Sequence, residues 1–362
     1  MRQVVCLAAE PWSTVPTRTQ QLMSRMREAN VLFFEPPGPR GDKRWKQTGR
    51  KLRPDLIAFT LPPQITSPTA PGFLTRMAIN RTVRYIQDRM AFHRFRDPVL
   101  WCATPAAARL LDDLSYRGLV YDCYEDRSSS PETWEEDLAA AADVVFAASP
   151  QLAQRMVAFN PNVSLLPFGC NYPMFAQDDI PVPPALARLR GPVLGFAGTL
   201  WPDLDLTPVL QLAESRPGYS IVLMGRDGGA PMLPRLLQYP NVRYLGAVEP
   251  VDLPDYLCNF QVCLQLLRQR ELQDDIIHAR MFECLSAGRP IVTMLRPDQV
   301  EHFPDVVYGA HSAAEFIQLC DRALEERGTY ARDRRRAYGY ANSWAQRAED
   351  VNRILEGIGL FT

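Results

Sequence analysis

The sequence lacks several features that would identify particular protein classes. No run approaches the roughly 18 apolar residues that a bilayer-spanning helix needs. The eight cysteines include no Cys-x-x-Cys pair, and the four histidines have no near neighbour, so no metal-ligand pattern is present. The first seven residues enter an apolar strand at once and do not follow the plan of a signal peptide. These absences predict a cytoplasmic protein with buried, reduced thiols.

The composition is that of a folded globular chain with an uneven distribution of charge. Hydrophobic residues make up 46% and charged residues 22% of the 362 positions, and this length favours two domains over one core. The first 100 residues carry 17 Lys and Arg against 7 Asp and Glu, whereas the remainder carries 23 against 34. The basic first third and the acidic remainder are therefore expected to meet different partners.

Short apolar runs alternate with helix-length segments along the whole chain. Because the runs lack polar alternation, they predict parallel sheets covered on both faces, in two doubly wound, Rossmann-like α/β domains. The predicted strands are Val4–Ala8, Val31–Glu35, Leu56–Leu61, Val99–Ala103, Leu119–Cys123, Val144–Ala148, Val163–Leu166, Val193–Ala197, Ile221–Met224, Val242–Leu245, Val262–Leu266, Ile291–Met294 and Val306–Tyr308. The Pro-rich stretch Asp178–Pro184 is the best linker. We therefore expect domains at 1–176 and 191–336, a linker at 177–190, and a helical tail within 337–362.

The stretch from Asp274 to Val292 has the signals of a helix followed by a strand. Asp274 and Asp275 can cap the helix, and Gly288 can end it. Arg280 and Glu283 are three positions apart and therefore lie side by side on one face. Such a helix end suits a phosphorylated, hydroxyl-rich ligand. The alternative is an ordinary capped helix with a surface ion pair.

Asp275 and Glu283 are separated by seven residues, and Ser286–Val292 resembles the "A-x-G-x-P-V-V" turn of GT-B glycosyltransferases. The order of the other motifs extends this resemblance, to the bacterial polysaccharide type of glycosyltransferase family 4, over nearly the whole chain. These motifs are Trp12–Leu22, Val31–Pro37, Tyr121–Cys123, Ala142–Pro150, Phe168–Phe175, Gly195–Leu200, Pro240–Gly246 and Leu253–Leu257.

The resemblance implies a cleft between the two domains, a final helix that packs back on the first domain, and a donor site in the second. Glu283 would bind the two ribose hydroxyls of a UDP- or GDP-linked sugar, and Asp275 would lie near the sugar as a catalytic residue. The implied donor-binding set is Gly198, Thr199, Arg226, Val248, Ile277, His278, Arg280 and Glu283. Retaining chemistry with no metal and no cofactor besides the donor follows from the same resemblance.

The chain departs from the family pattern in the donor domain. The first acid is Asp275 where Glu is usual, and Ile277-His278 stands where related sequences often read Ser-Pro. The loop Leu200–Asp205 lacks the Arg and Lys that many relatives place there, so Arg226 and Arg280 are the candidates to supply positive charge. Asp203 and Asp205 have the spacing of a metal-binding Asp-x-Asp motif. We interpret them instead as a helix cap.

For three of these residues an ordinary structural role is the alternative to a role in donor binding. Gly198 is also an ordinary turn glycine, Arg226 a solvated turn residue, and His278 a packed or solvated residue.

The acceptor is expected at the carboxyl ends of the first sheet, where such sheets bind ligands. Asp122 and Glu125 follow a strand and are candidates to bind the acceptor or to serve as a base, with capping and loop roles as alternatives. Trp12, Ser13 and Arg18 are acceptor-side candidates in a glycine-free turn where many relatives have glycines, and Arg18 and the hydroxyls are candidates to contact an acceptor phosphate. The alternative to acceptor contact is that these residues form the start of a helix, capped by Ser13 or by Thr17.

These features predict a glycosyltransferase that moves a sugar from a nucleotide diphosphate donor to a glycan or lipid-linked acceptor. A nucleotide-sugar epimerase of the same fold would bind the same donor without a second substrate. A non-catalytic protein that binds nucleotide sugars is a further alternative, favoured by Asp275 and by the missing Arg and Lys.

Two basic stretches of the first domain predict docking on an anionic membrane surface. Residues 40–53 carry seven basic side chains and one acid in a loop-like stretch, and residues 73–86 mix apolar and Arg positions at helical spacing. Docking at the inner face of the membrane would bring the enzyme to a lipid-linked acceptor. A solubilising face and a site for an acidic glycan are the alternatives. No recognised nucleic-acid-binding motif supports a nucleic acid partner.

Overall fold

A computed structural model of the chain describes residues 2–39, 41–64, 71–126, 133–268, 275–294, 303 and 305–361. Two predicted features fall on positions outside these ranges, the helix cap at Asp274 and the first basic residue of the 40–53 stretch, Arg40. The chain divides into two compact units, one made of residues 1–167 with 347–362 and the other of residues 168–346.

The first unit is built on an eight-stranded sheet. Its strands are Arg2–Leu7 (β1), Ala29–Glu35 (β2), Arg50–Arg53 (β3), Leu56–Thr60 (β4), Val99–Cys102 (β5), Gly118–Cys123 (β6), Val144–Ala147 (β7) and Val163–Leu165 (β8). They lie in the order β3-β4-β2-β1-β5-β6-β7-β8, and all pairs are parallel except β3 with β4. The residues of β6 are all buried, which matches the unbroken apolar runs of a sheet covered on both faces.

The helices that stand between the strands of the first unit in sequence are Arg18–Met23 (α1), Gly72–Phe92 (α2), Trp134–Ala141 (α3) and Pro150–Val157 (α4), with 3-10 turns at Arg44–Lys46 and Pro105–Asp113. Of these helices, α1 and α4 begin at a side-chain cap. Thr17 and Gln20 form a capping box at the start of α1, and the Ser149 hydroxyl accepts the Leu152 N–H at the start of α4. The alternative prediction, that Thr17 caps a helix, is therefore confirmed.

The second unit is built on a six-stranded, all-parallel sheet. Its strands are Val193–Ala197 (β9), Ser220–Met224 (β10), Val242–Tyr244 (β11), Val262–Gln265 (β12), Ile291–Thr293 (β13) and Val307–Gly309 (β14), in the order β11-β10-β9-β12-β13-β14. Leu194 and Phe196 pack into one apolar cluster, whereas Val193 and Ala197 pack into another. Alternate residues of β9 thus fill the two faces of the sheet, as predicted for a doubly wound domain.

The helices before, between and after these strands cover both faces of the second sheet. They are Tyr172–Phe175 (α5), Pro184–Ala187 (α6), Thr207–Ser215 (α7), Leu233–Leu236 (α8), Leu253–Leu257 (α9), Ala279–Ala287 (α10), Ala313–Leu324 (α11) and Tyr330–Ala341 (α12). The last helix, Trp344–Gly357 (α13), consists mostly of residues that cluster with the first unit. The predicted fold class, two α/β units with parallel sheets, is confirmed.

Two predicted elements differ from the structure. The basic stretch was expected to be loop-like, but Arg50–Arg53 forms the antiparallel edge strand β3. The C-terminal helix expected from about residue 337 is broken between α12 and α13. There the Ser343 hydroxyl accepts the Gln346 N–H, in the manner of an N-cap, and Ser343 also forms a bridge with Cys170. The chain thus starts a new helix instead of continuing the old one.

The sequence-based domain bounds differ from the two units at residues 168–190. These residues cluster with the second unit, where Cys170 bridges Ser343 and the Asn259 side chain donates to the Pro181 carbonyl. Residues 347–362 cluster with the first unit. All eight cysteines are buried and carry free thiols, as predicted. Within the described ranges, no helix combines the length and the apolar character that a bilayer crossing requires.

Candidate functional site

The donor side of the predicted site is centred on α10, which begins later than predicted. His278 is the N-cap residue, with an extended backbone and no capping hydrogen bond from its side chain, and the helix starts at Ala279. Asp275 lies four residues before the helix and is largely buried, so the prediction that it caps α10 is wrong. Ile276 and Ile277 explain the difference, because β-branched residues favour extended backbone over a first helical turn.

The remainder of α10 follows the sequence pattern. Met281, Cys284 and Leu285 are buried on its inner face. Gly288 ends the helix with a left-handed backbone, φ +73°, which a residue with a side chain rarely adopts. The predicted helix termination and the strand that follows are therefore confirmed.

Arg280 and Glu283 form the predicted ion pair on the exposed side of α10. An Arg280 Nη1 donates to Glu283 Oε2, and the two side chains are 29% and 18% exposed. Among the described residues, Glu283 Oε1 accepts no hydrogen bond. The carboxylate thus has a half-buried position and a free oxygen with which it can accept a hydroxyl.

The loops that follow β9 and β10 lie against each other through backbone hydrogen bonds. The Leu200 N–H donates to the Arg226 carbonyl at 2.9 Å, and the Gly228 N–H donates to the Leu200 carbonyl at 3.0 Å. Gly225 has φ +136°, and a Cβ there would lie 1.9 Å from the Gly198 carbonyl oxygen. The close approach of these loops therefore requires glycine at 225, a position that the sequence analysis did not single out.

The other predicted donor residues are spread around these loops and α10. Gly198 and Thr199 are half-buried, and Arg226 is exposed. Val248 and Ile277 are half-buried against the apolar cluster that contains the inner face of α10. His278 is exposed, with its ring centroid 5.9 Å from that of Phe168.

A cation that the sequence analysis missed lies beside the β9 loop. Arg268 follows β12, the strand next to β9, and its Nε donates to Asp203 Oδ1 at 2.8 Å. Its guanidinium also lies over the Trp201 ring, 4.7 Å from the centroid. The rule that residues after neighbouring parallel strands share one edge of the sheet could have identified it.

The two acids of the Asp-x-Asp sequence have separate partners. Asp203 pairs with Arg268, whereas Asp205 Oδ1 accepts the backbone N–H of Thr207, the first residue of α7, at 2.9 Å. The N-cap residue of α7 is Leu206, which makes no side-chain capping bond, so the prediction that the Asp-x-Asp pair caps the helix is not confirmed. Within the described ranges, no three His, Cys, Asp or Glu side chains are grouped as metal ligands would be; metal independence stays a prediction.

On the acceptor side, Trp12 and Ser13 lie in an exposed turn of the first unit. The half-buried Trp12 ring packs edge-on against Phe33, with 5.0 Å between centroids, and its backbone N–H donates to Glu35. The Ser13 hydroxyl donates to the Val15 carbonyl at 2.7 Å and accepts the Val15 N–H at 3.1 Å. Glu125, after β6, is exposed.

Arg18 and Asp122 form an ion pair inside the first unit. Arg18 Nε donates to Asp122 Oδ1 at 2.9 Å, and the two side chains are 1% and 0% exposed. Burial raises the pKa of Asp122, an effect that the Arg18 guanidinium opposes. Asp122 was predicted at a strand end that faces a ligand, but it is the penultimate residue of β6, with its side chain inside the unit. In this structure neither side chain is exposed for direct contact with an acceptor.

The matches to known proteins agree with this architecture. Residues 208–353 match a family model described as glycosyl transferase-like. The chain is 25% identical over 292 residues to the putative teichuronic acid biosynthesis glycosyltransferase TuaH of Bacillus subtilis, and the match covers 73% of this chain and 71% of that protein.

Solved structures share the fold over nearly the whole chain. Sucrose-phosphate synthase from Thermosynechococcus elongatus has a TM-score of 0.71 at 14% identity, with 99% of each chain covered. Anabaena Alr3699/HepE, solved in complex with UDP and glucose, has a TM-score of 0.68 at 13% identity, with 99% of this chain and 100% of that chain covered. The prediction made from the motifs is thereby confirmed: this chain is a glycosyltransferase with the GT-B fold.

Proposed function

We propose that the enzyme transfers a hexose from a UDP- or GDP-linked donor to a glycan or lipid-linked acceptor of polysaccharide biosynthesis. The observation that carries this proposal is the half-buried carboxylate of Glu283, at an exposed face of α10 with one oxygen free. A carboxylate with this geometry suits the cis diol of a ribose. TuaH is named as a putative glycosyltransferase, and Alr3699/HepE was solved in complex with UDP and glucose, which favours transfer over donor isomerisation or binding alone.

The second unit offers positive charge for the donor diphosphate. The N-terminal end of α10 carries the positive end of the helix dipole, and Arg280 stands in its first turn. Arg226 is exposed on the loop after β10, and Arg268 lies beside the loop after β9. Cations and a helix dipole stabilise a leaving diphosphate without a metal, so we expect turnover in the presence of a chelator.

Asp275 is the residue proposed to act near the transferred sugar. It is largely buried and stands four residues before the start of α10. By the stated resemblance the reaction retains the anomeric configuration of the donor.

A panel of UDP- and GDP-linked hexoses tests this proposal. Nucleotide release that depends on an added glycan or lipid-linked acceptor, and that persists in EDTA, is the expected result. Proton NMR of the product at early times should show the donor's anomeric configuration. Isomerisation of the donor without nucleotide release would instead indicate an epimerase, and thermal stabilisation without turnover would indicate a binding protein.

The first unit also supports the proposed docking on anionic lipid at the inner face of the membrane. On α2, Phe73 and Met77 are 67% and 65% exposed, and the exposed Arg76, Arg81 and Arg84 stand among them. Apolar side chains that alternate with cations on one helix surface are typical of interfacial helices.

The basic stretch lies next to this helix. The centroid of the Trp45 ring is 6.5 Å from that of the Tyr85 ring of α2. The Arg81 guanidinium, also on α2, lies 6.0 Å from the centroid of the Trp45 ring. Lys43, Lys46 and Lys51 are exposed on the stretch. Helix and stretch thus form one surface, and each cation near anionic lipid contributes about 1 kcal/mol.

Co-sedimentation with phosphatidylglycerol vesicles tests the docking proposal. We expect pelleting at low salt, loss of pelleting at high salt, and weaker pelleting after Lys→Gln changes at 43, 46 and 51. The matched control replaces Arg188, Arg190 and Arg243, which are exposed on the second unit, by Gln. Equal pelleting of the two triple variants, or no pelleting at low salt, would contradict the proposal.

A further inference from the structure

The turn at residues 12–17 is held by two buried carboxylates, one on either side of the strand that leads into it. The turn follows β1, whose neighbours in the sheet are β2 on one side and β5, then β6, on the other. Glu35 is the last residue of β2 and Asp122 the penultimate residue of β6. Both side chains are almost fully buried, at 2% and 0% exposure.

Glu35 fixes the start of the turn. Its Oε1 accepts the backbone N–H of Trp12 at 3.0 Å, and its Oε2 accepts the Thr60 hydroxyl at 2.9 Å. The guanidinium of Arg50, on the edge strand β3, also pairs with Oε1. One carboxylate therefore links the turn to strands β3 and β4.

Asp122 fixes the residue just after the turn. It pairs with Arg18, the first residue of α1, and both charges are removed from solvent. Removing two charges from water is costly and is compensated only where the pair is well aligned. The ion pair thus holds the start of α1 against β6.

The Gln20 side chain links Ser13 to Thr17 across the turn. Its side-chain amide donates to the Ser13 carbonyl at 3.1 Å, and its side-chain oxygen accepts the Thr17 N–H at 3.0 Å. The residues between these contacts, 13–16, are exposed. Residues 11–17 contain two prolines, Pro11 and Pro16, and no glycine. The unfolded chain therefore has little backbone freedom to lose when the turn forms.

We infer that Glu35 and Asp122 are positioning residues that hold residues 12–17 as a preformed acceptor-binding loop. This inference rests on the proposed function, because it assigns the exposed turn to the acceptor. Hydrogen bonds with the side chains of Glu35 and Gln20 fix the backbone of this turn. A loop that is already ordered loses less conformational freedom when the acceptor binds, so the acceptor binds more tightly.

Hydrogen exchange at the Trp12 amide tests whether Glu35 holds the loop. In Glu35→Ala this amide loses a charge-assisted partner, and its exchange should rise roughly ten- to a hundredfold. Glu35→Gln keeps an oxygen that can accept the same N–H, so its exchange should stay near that of the wild type. Thr60→Val is the matched control, because it removes a hydrogen bond to the same carboxylate without touching the turn. Equal exchange in Glu35→Ala and Thr60→Val would overturn the inference.

Steady-state kinetics with p-nitrophenyl hexosides as acceptors tests the role in binding. Glu35→Ala should raise the acceptor KM roughly tenfold or more, while the donor KM and acceptor-free hydrolysis of the nucleotide sugar stay unchanged. Glu35→Gln should restore the acceptor KM. An unchanged acceptor KM in Glu35→Ala, or an equal rise in the donor KM, would overturn the inference. If the wild type transfers sugar neither to these hexosides nor to a glycan or lipid-linked acceptor, the proposed function fails, whereas the exchange experiment still decides whether Glu35 holds the turn.

Discussion

Glu283 combines a half-buried position with an ion pair to Arg280, and its predicted ribose contact is testable by substitution. We expect Glu283→Ala to weaken nucleotide binding roughly ten- to a hundredfold, because a charge-assisted hydrogen bond contributes about 1.5–3 kcal/mol. Isothermal titration calorimetry with UDP and GDP measures this directly. Thermal unfolding should change little, since the lost pair joins two neighbours on one helix and is partly open to solvent.

The control for this substitution is Glu325→Ala. Glu325 is an exposed carboxylate just after α11 in the same unit, so its loss changes the net charge equally. We expect its nucleotide affinity to equal that of the wild type. The same weakening in both variants would mean that general electrostatics, and not a ribose contact, explains the effect.

Which residues were predicted correctly depends on how local their determinants are. Gly288 and the Arg280–Glu283 pair follow from spacing within one helix, and both are confirmed. The burial of Asp122 depends on Arg18, which is 104 positions away, and no local pattern reports that contact. Arg268 was missed for the same reason, because its proximity to Asp203 follows from the order of strands.

At the scale of elements, an ion-pair network holds α11 against the segment between α7 and β10. Asp321 Oδ2 accepts from Arg216 Nη2 at 2.6 Å, and Asp321 Oδ1 accepts the Tyr219 hydroxyl at 2.7 Å. The hydrogen bond from Arg216 lowers the pKa of Asp321 below its usual value of 3.8; burial opposes this effect, and the hydrogen bond from Tyr219 adds a smaller lowering. These side chains are about one-third exposed, so solvent weakens the interaction.

We expect Asp321→Asn to lower the free energy of unfolding by about 1 kcal/mol at pH 7. Because the pKa is lower in the folded state, this contribution is present above pH 3.8 and is lost as the pH falls through the lower folded value. Urea denaturation between pH 7 and pH 3 measures the difference from the wild type. Asp179→Asn, at an exposed position, is the control; a pH-independent difference for Asp321→Asn would contradict this account.

Most strands were predictable because a buried parallel strand is an unbroken apolar run. The bounds of β9 match the prediction, and most other predicted strands are shifted by one or two residues at their ends. The strand β3 was missed because Arg50–Arg53 is basic and lies at the sheet edge, where charged residues are common. The late start of α10 was missed because two acids are a typical cap signal.

At the scale of the whole molecule, residues 347–362 belong to the first unit although they follow the second in sequence. Leu355, in α13, is fully buried. We expect Leu355→Ala to destabilise the first unit by about 2–5 kcal/mol, the usual range for a buried leucine. Hydrogen exchange should rise at the amides of β1, β5 and β6 and stay nearly unchanged in the strands of the second unit.

The matched control is Leu212→Ala, at a fully buried position of α7 in the second unit. It should give the reverse pattern, with faster exchange in β9 and β10. Equal acceleration of exchange in both units by either variant would show that the chain unfolds as one cooperative body.

The pairing of Arg2 with Glu356, 354 positions later, has a consequence for synthesis. A ribosome adds about 5–20 residues per second, so roughly 10–40 s separate residue 167 from the segment that completes the first unit. Throughout that interval Gly118, at the start of β6, lacks Leu360, which packs against it in the native protein. The last residue of the second unit, 346, is synthesised before the segment that completes the first unit. The half of the enzyme that leaves the ribosome first is therefore the last to be completed.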